Sequence, residues 1–155
     1  MMVAKTDQAH IGLTRQFKDR RVCKGYVALV VGNMGTSKGI INAPIGRDTR
    51  HRKRMGIVNT GRTATTRFSL LKHMGFFSLV EIFPETGRTH QIRVHFSSIG
   101  HPLAGDTLYG ASDYNLGRHF LHAHFLRFLH PWTKEYMEFT SLLPTELEDF
   151  LEGLS

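Results

Sequence analysis

The chain has 155 residues, of which 41% are hydrophobic and 21% charged, and these proportions exclude a disordered protein. Its length fits one domain with a real core. The longest apolar run, Val27 to Val31, is far shorter than the roughly 20 residues of a membrane-spanning helix, and the first ten residues do not resemble a signal peptide. A single cysteine, Cys23, predicts a reducing, cytoplasmic setting.

The chain is basic, with 20 Lys and Arg against 13 Asp and Glu and a net charge of +7. Such a surface favours nucleic acid as a partner, although a protein that is merely basic is the alternative. The cations are concentrated in one Gly- and Thr-rich region: Arg47, Arg50, Arg52, Lys53, Arg54, Arg62 and Arg67. At its centre, RDTRHRKR has no apolar period, which predicts a loop that grips phosphates.

The predicted elements alternate between strands and a few helices. A helix begins near Thr6 and Asp7 and ends near Lys18. Apolar, β-branched patterns predict strands at 22–32, 55–59, 63–74 and 75–85, a short strand or extended piece at 39–46, and a hairpin at 119–142. Residues 89–98 have helical spacing between two glycines, and a last helix opens at Pro144 and Thr145. Together, these helices and strands predict one α+β domain, residues 1–155, built around a mostly antiparallel sheet.

Ten histidines raise the question of a metal site. On a strand, His122 and His124 share one face, but no cysteine lies nearby, and a hairpin with interleaved Phe and Leu favours core packing. His90 and His95 are five residues apart, which does not reproduce the same-face zinc pair of a helix. We therefore expect no metal. A serine or cysteine nucleophile is not expected either, because Cys23 lies in a predicted strand and no glycine-flanked serine elbow occurs.

Arg93 lies in the segment GRTHQIRVH, beside the apolar residues Ile92 and Val94. Because arginine is always charged and expensive to bury alone, Arg93 must face a partner. The residues alone support two interpretations equally well. Arg93 is either a structural arginine bonded to helix-end carbonyls or a residue of a functional site.

The run GRTHQIRVHFSSIGHPLAGDTLYG resembles the closing motif of the RluA-like family of RNA pseudouridine synthases. The segments KGYVALVVG, PIGRDTRHRKRMGIVNTGRTATTRF and LHAHFLRFLHPWT resemble other parts of that family, so the resemblance covers most of the chain. It implies the pseudouridine synthase fold and the isomerisation of uridine to pseudouridine in ribosomal or transfer RNA, without cofactor or metal.

The resemblance also implies the site residues. Tyr26 would stack on the uracil, and Arg93 would pair with a catalytic aspartate and keep it ionised. The basic residues Arg47, Arg50, Arg52, Lys53, Arg54 and Arg62, together with Arg88 and His90 of the motif, would contact the RNA. Asp106 of the GDTLYG segment is expected to be structural.

The family's aspartate motif precedes residues like LMVVAKT, and this chain opens MMVAKT. We therefore expect the partner of Arg93 to lie upstream of this sequence, and the chain to be the C-terminal part of a catalytic domain, inactive alone. An apolar face or open strand edge is then expected near residues 1–4. A non-catalytic RNA-binding module is the main alternative, and a metal-dependent hydrolase with zinc at His122 and His124 is a third. The particular RNA and the oligomeric state are not predicted.

Overall fold

A computed structural model describes residues 2–49, 51 and 53–154. The described residues form three helices: α1 (Asp7–Lys18), α2 (Gln91–Ser98) and α3 (Thr145–Glu152). They also form eight strands: β1 (Cys23–Val31), β2 (Lys38–Asn42), β3 (Ile45–Arg47), β4 (Met55–Ile57), β5 (Thr65–Met74), β6 (Phe77–Pro84), β7 (Leu121–Leu129) and β8 (Tyr136–Thr140). No helix of the described residues is long and apolar enough to cross a membrane.

The main sheet has six strands in the order β2-β5-β6-β1-β7-β8, and every neighbouring pair is antiparallel. The predicted α+β class with a mostly antiparallel sheet is therefore confirmed. A separate two-stranded ribbon pairs β3 with β4. We call β3, β4 and their connecting loop the basic hairpin, residues 45–57.

The strands are interrupted at two places. Residues 39–46, predicted as a short strand or extended piece, contribute to two strands, because the chain leaves the main sheet at Ala43 and Pro44 and proline has no N–H for a ladder. The second place is in β5, where a register shift between Leu70 and Lys72 inserts one extra residue. That residue, Leu71, is 51% exposed, as is typical of a β-bulge.

Helices cover both faces of the main sheet. On one face, Phe96 of α2 packs with Ala28 and Val80 in a fully buried core. On the other face, Leu147 of α3 packs with Leu29 and Phe120. Full burial of one such leucine or phenylalanine stabilises the fold by about 1.5–3 kcal/mol, so the two cores fix the sheet between α2 and α3.

The first helix agrees with its predicted bounds. The hydroxyl of Thr6 accepts a hydrogen bond from the N–H of Ala9 at 3.2 Å and caps α1. Leu13 packs against Val22 and Phe128, and the amide of Gln16 both donates to and accepts from the backbone of Leu129. These contacts hold the start of β1 against the end of β7.

The second helix is shorter than predicted. It begins at Gln91, and His90 precedes it in the left-handed region (φ 55°, ψ 21°), so Thr89 does not belong to the helix. The buried Gln91 side chain accepts from the Thr86 hydroxyl at 2.7 Å and donates to the Thr66 hydroxyl at 2.9 Å. The first turn of α2 is thus anchored to the main sheet, which fixes the direction of Arg93.

Candidate active site

One cavity of about 400 Å³ contains both residues that the sequence resemblance assigns to catalysis. Tyr26 enters it from β1 and Arg93 from α2. The other polar residues of the wall are Lys24, Thr86, Arg88, His90, Gln91 and His119, and its apolar residues are Pro84, Ile92 and Leu121. The convergence of several polar side chains on one concave cavity suits a ligand with several hydrogen-bonding groups.

Tyr26 lies at an irregularity of the sheet. The pairing of β1 with β7 shifts register between Gly25 and Tyr26, and Tyr26 is paired with Ala123 on β7. Burial raises the pKa of the Tyr26 phenol above its ordinary value, so the ring is neutral near pH 7. A neutral, half-buried aromatic ring in a cavity wall can stack on a nucleobase.

Arg93 forms a bidentate ion pair with Asp106. Its Nε lies 2.7 Å from Oδ2 and its Nη2 lies 2.7 Å from Oδ1. The two side chains are 14% and 1% exposed. Asp106 therefore compensates the guanidinium charge from within the chain, which we did not expect. The pairing of Arg93 with a catalytic aspartate from outside this sequence stays a prediction. Asp106 has the structural role that we expected of it.

The ion pair leaves part of the guanidinium available. An arginine has five N–H donors, and Asp106 occupies only the edge formed by Nε and Nη2. Asp106 does not bind the second edge, formed by Nη1 and Nη2. The Arg93 side chain is part of the cavity wall. Arg93 can therefore hold a second anionic or carbonyl oxygen without breaking its bond to Asp106.

His90 and His119 flank Arg93 as neutral rings. The pKa of each is lowered below the ordinary histidine value, first by burial and then by the charge of Arg93. The sequence reasoning assigned His90 but missed His119, and it also missed Lys24. His119 lies two residues before the segment LHAHFLRFLHPWT and outside the motifs that carry the resemblance, so no sequence signal assigned it.

The predicted RNA-binding residues fall into two groups. Arg88 lines the cavity, and its Nε donates to the Thr63 carbonyl at 3.1 Å, one residue along the chain from Arg62. The pKa of Arg88 is lowered by desolvation and by the charges of Arg62 and Arg20, which places Arg20, a residue that we did not predict, in the same group.

The second group belongs to the basic hairpin, where Arg47 and Lys53 are exposed and Arg54 is half-buried. Arg50 and Arg52 lie outside the described residues. Arg67, counted with the basic cluster in the sequence, is ion-paired with Glu85 on the surface of β5.

The histidines considered for a metal site have other neighbours. His122 Nε2 lies 3.1 Å from the Ser141 carbonyl oxygen, and His124 Nε2 lies 3.2 Å from a carboxylate oxygen of Glu81. Among residues 2–49, 51 and 53–154, no group of three or more His, Cys, Asp and Glu side chains is arranged to hold a metal ion.

Comparison with known proteins gives the family. The family model described as RNA pseudouridylate synthase matches residues 1–98. An uncharacterized RNA pseudouridine synthase of Chloroflexus aurantiacus is 46% identical over 156 residues, which cover 99% of this chain and 49% of that protein. Ribosomal large subunit pseudouridine synthase D of Nitrosomonas europaea is 40% identical over 163 residues, which cover 99% of this chain and 47% of that protein.

Solved structures agree with these relatives. Human RNA pseudouridylate synthase domain containing 1 superposes with a TM-score of 0.79 at 32% identity, covering 98% of this chain and 73% of that chain. The chain spans about half the length of the curated relatives that it matches. Because the family model covers well over half of the chain and the fold is shared with a family structure, the chain belongs to the RNA pseudouridylate synthase family.

Proposed function

We propose that this chain forms the uridine-binding and RNA-binding part of an enzyme that isomerises uridine to pseudouridine in ribosomal or transfer RNA. The observation that carries the proposal is the meeting of Tyr26 and Arg93 in one cavity. The cations near that cavity, Lys24 and Arg88 in its wall and Arg62 and Arg20 beside Arg88, suit a substrate with a phosphate backbone.

In this proposal the target uridine leaves the RNA stack and enters the cavity, since a base inside a duplex is out of reach. Its uracil stacks on the neutral ring of Tyr26. The free edge of Arg93 holds the carboxylate that starts the reaction in its ionised form, because a neighbouring cation lowers the pKa of a carboxyl group by roughly 1–3 units.

The reaction is an isomerisation, so its atoms balance within the nucleotide. The bond between N1 and the ribose C1′ breaks, the uracil turns in the cavity, and C5 bonds to C1′. C5 loses its proton and N1 gains one. The apolar residues Ile92 and Leu121 of the wall allow a flat ring to turn, because they offer it no fixed hydrogen bond.

The nucleophilic carboxylate is the missing part. Among the described residues that line the cavity there is no Asp or Glu, and both oxygens of Asp106 already bind Arg93. We propose that the carboxylate is supplied from outside these 155 residues and that this chain alone binds RNA without converting it. Next to Tyr26, a second depression is lined by apolar residues that include Met2 and the 49% exposed Phe139, and this surface supports an additional protein segment there.

The direct test incubates the purified 155-residue chain with RNA that carries tritium at C5 of its uridines. Release of tritium into water reports the replacement of the C5 proton. We expect RNA binding without tritium release, and measurable release would refute the proposal that the chain is inactive alone. Failure to bind RNA at low salt would refute the proposed function itself.

A non-catalytic RNA-binding module is the second candidate, and the absence of a carboxylate from the described cavity wall favours it. Sequencing the gene upstream of the first codon separates the two. An in-frame aspartate motif that ends in LMMVAKT supports the enzyme, and the longer protein should then release tritium. A stop codon directly upstream supports the binding module.

A further inference from the structure

Tyr109 connects two parts of the molecule that the proposed function treats separately, the basic hairpin and the cavity. It lies in the segment after α2, is 7% exposed, and packs in a small core with Ile45, Ala64 and Val94. Met55 of β4 packs against the same core. The ring of Tyr109 is therefore enclosed between the hairpin and α2.

The backbone of Tyr109 is fixed by its own contacts. Its N–H donates to a carboxylate oxygen of Asp106 at 3.3 Å, and its carbonyl accepts from the Ser97 hydroxyl at 2.8 Å. The Arg93 guanidinium carbon lies 4.8 Å from the centre of the ring, which is within the range of a cation–π interaction. The ring thus packs against the guanidinium of Arg93, while its hydroxyl contacts other residues.

The hydroxyl of Tyr109 makes two hydrogen bonds. It accepts the N–H of Met55 at 3.0 Å, and it lies 2.9 Å from Nδ1 of His90. Since the first bond uses an oxygen lone pair, the hydroxyl proton is available for His90. The pKa of His90 is lowered by burial and by the charge of Arg93, so the ring is neutral. Its Nδ1 can then accept a hydrogen bond from the Tyr109 hydroxyl.

This arrangement favours one tautomer of His90, in which Nδ1 accepts from the Tyr109 hydroxyl. With Nδ1 accepting, the ring proton lies on Nε2. No described residue is hydrogen-bonded to Nε2, and His90 lines the cavity. His90 also occupies the left-handed backbone region at φ 55°, which is costly for a residue other than glycine and is often found at functional sites.

We propose that Tyr109 is a positioning residue that couples the basic hairpin to the cavity. Its hydroxyl fixes the hairpin at Met55 and, through His90 Nδ1, presents the His90 Nε2–H to an acceptor oxygen of the bound RNA nucleotide, either a base carbonyl or a phosphate. The role of His90 toward RNA rests on the proposed function, whereas the coupling of hairpin and histidine does not.

The test uses the variant Tyr109→Phe, which keeps the ring and its contact with Arg93 and removes only the hydroxyl. Tyr136→Phe on the exposed strand β8 is the matched control, since Tyr136 is 75% exposed. Three quantities are measured on the 155-residue chain. They are the His90 tautomer from imidazole ¹⁵N shifts, hydrogen exchange of the Met55 amide, and affinity for a short uridine-loop RNA hairpin by fluorescence anisotropy.

In the unmodified chain we expect the Nε2–H tautomer. Tyr109→Phe should mix the tautomers, speed exchange at Met55 about fivefold and weaken RNA binding about fivefold, as expected for the loss of one hydrogen bond. Tyr136→Phe should change none of these quantities. An Nδ1–H tautomer in the unmodified chain, or unchanged exchange at Met55 in Tyr109→Phe, would overturn the proposal.

A second variant, His90→Asn, tests the histidine without disturbing the tyrosine. Asparagine tolerates the left-handed backbone, and its side-chain oxygen can accept the Tyr109 proton in place of Nδ1. We expect Met55 to remain protected while RNA affinity falls about fivefold. RNA affinity equal to that of the unmodified chain would refute the role of Nε2. If the unmodified chain binds no RNA, the proposed function and the ligand of His90 both fail, while the tautomer and the Met55 exchange still decide the coupling.

To distinguish the two oxygen sources, the binding assay is repeated with the same RNA carrying 4-thiouridine in its loop and, separately, a methylphosphonate at that nucleotide. If His90→Asn no longer weakens binding of the RNA with 4-thiouridine, the contact is to the base carbonyl. If His90→Asn no longer weakens binding of the RNA with the methylphosphonate, the contact is to the phosphate. Retention of the full effect with both would contradict a contact to either oxygen.

Discussion

The substitution Asp106→Asn tests the ion pair on which the geometry of the cavity depends. It keeps the shape of the side chain and one acceptor oxygen, but it removes the negative charge. The exposures of the two partners, 1% for Asp106 and 14% for Arg93, mean that water cannot replace that charge. Asparagine would also direct an amide N–H₂ group toward the guanidinium.

Breaking a buried ion pair by removing one partner costs about 3–5 kcal/mol, because the other charge is left without compensation. Since asparagine keeps one hydrogen bond, we expect the lower end of this range, about 3 kcal/mol. Urea unfolding at pH 7 measures the difference. The control is Glu85→Gln, which breaks the surface pair of Arg67 and Glu85 with exposures of 58% and 36% and should cost less than about 1 kcal/mol. Equal and small losses in both variants would refute the structural role of Asp106.

Three further predictions concern stability and RNA binding. Burial lowers the pKa of His95 below 6.5, so the unfolded chain binds a proton that the folded chain excludes. The contribution of His95 to the free energy of unfolding is thus complete well above pH 6.5. It should decrease as the pH is lowered from 7.5 to 5.5, by at most about 1.4 kcal/mol per pH unit for each such group. Gly105→Ala should destabilise by about 2 kcal/mol or more, since φ is +75° and a Cβ would lie 2.1 Å from the Arg118 carbonyl oxygen. Arg54→Gln in the basic hairpin should weaken RNA binding and reduce the slope of log affinity against log salt by about 0.7–0.9.

Each of these has its own contradicting result. A urea midpoint equal at pH 7.5 and 5.5 would show that His95 is charged in the fold. Gly75 is the control for Gly105, since its φ is also positive, +58°, but a Cβ added there would meet no atom within 4 Å. Gly75→Ala should therefore destabilise by only about 1 kcal/mol. Equal losses of stability at both glycines would exclude the steric overlap at Gly105. If the slope of log affinity against log salt is unchanged in Arg54→Gln, Arg54 does not contact the RNA.

Much of the fold was predictable because local signals agreed with the tertiary structure. Thr6 followed by Asp7 predicted the start of α1, and the hydroxyl of Thr6 does cap it. The apolar run of β1 predicted a buried strand, and its central residues, Ala28 to Val30, are fully buried between the two helical layers. The bulge at Leu71 could not be predicted, because it depends on how β5 pairs with β6.

The site was predictable only in part. The family resemblance assigned Tyr26 and Arg93, and the structure brings them to one cavity, although their catalytic roles stay predictions. The pairing of Arg93 with Asp106 was missed, since no local pattern indicates that residues 13 apart in the chain form an ion pair. Tyr109 was missed for the same reason, because its hydroxyl bridges segments that are far apart in sequence.

The central claim is that the cavity between Tyr26 and Arg93 receives an unstacked uridine. An RNA hairpin with a single 5-fluorouridine in its loop tests this most directly by ¹⁹F NMR, with the 155-residue chain added in steps. Our account predicts a shifted bound resonance with the unmodified chain and its loss with Tyr26→Ala, because the base then has no ring to stack on. A resonance that shifts equally with both proteins would place the uridine outside this cavity and contradict the account.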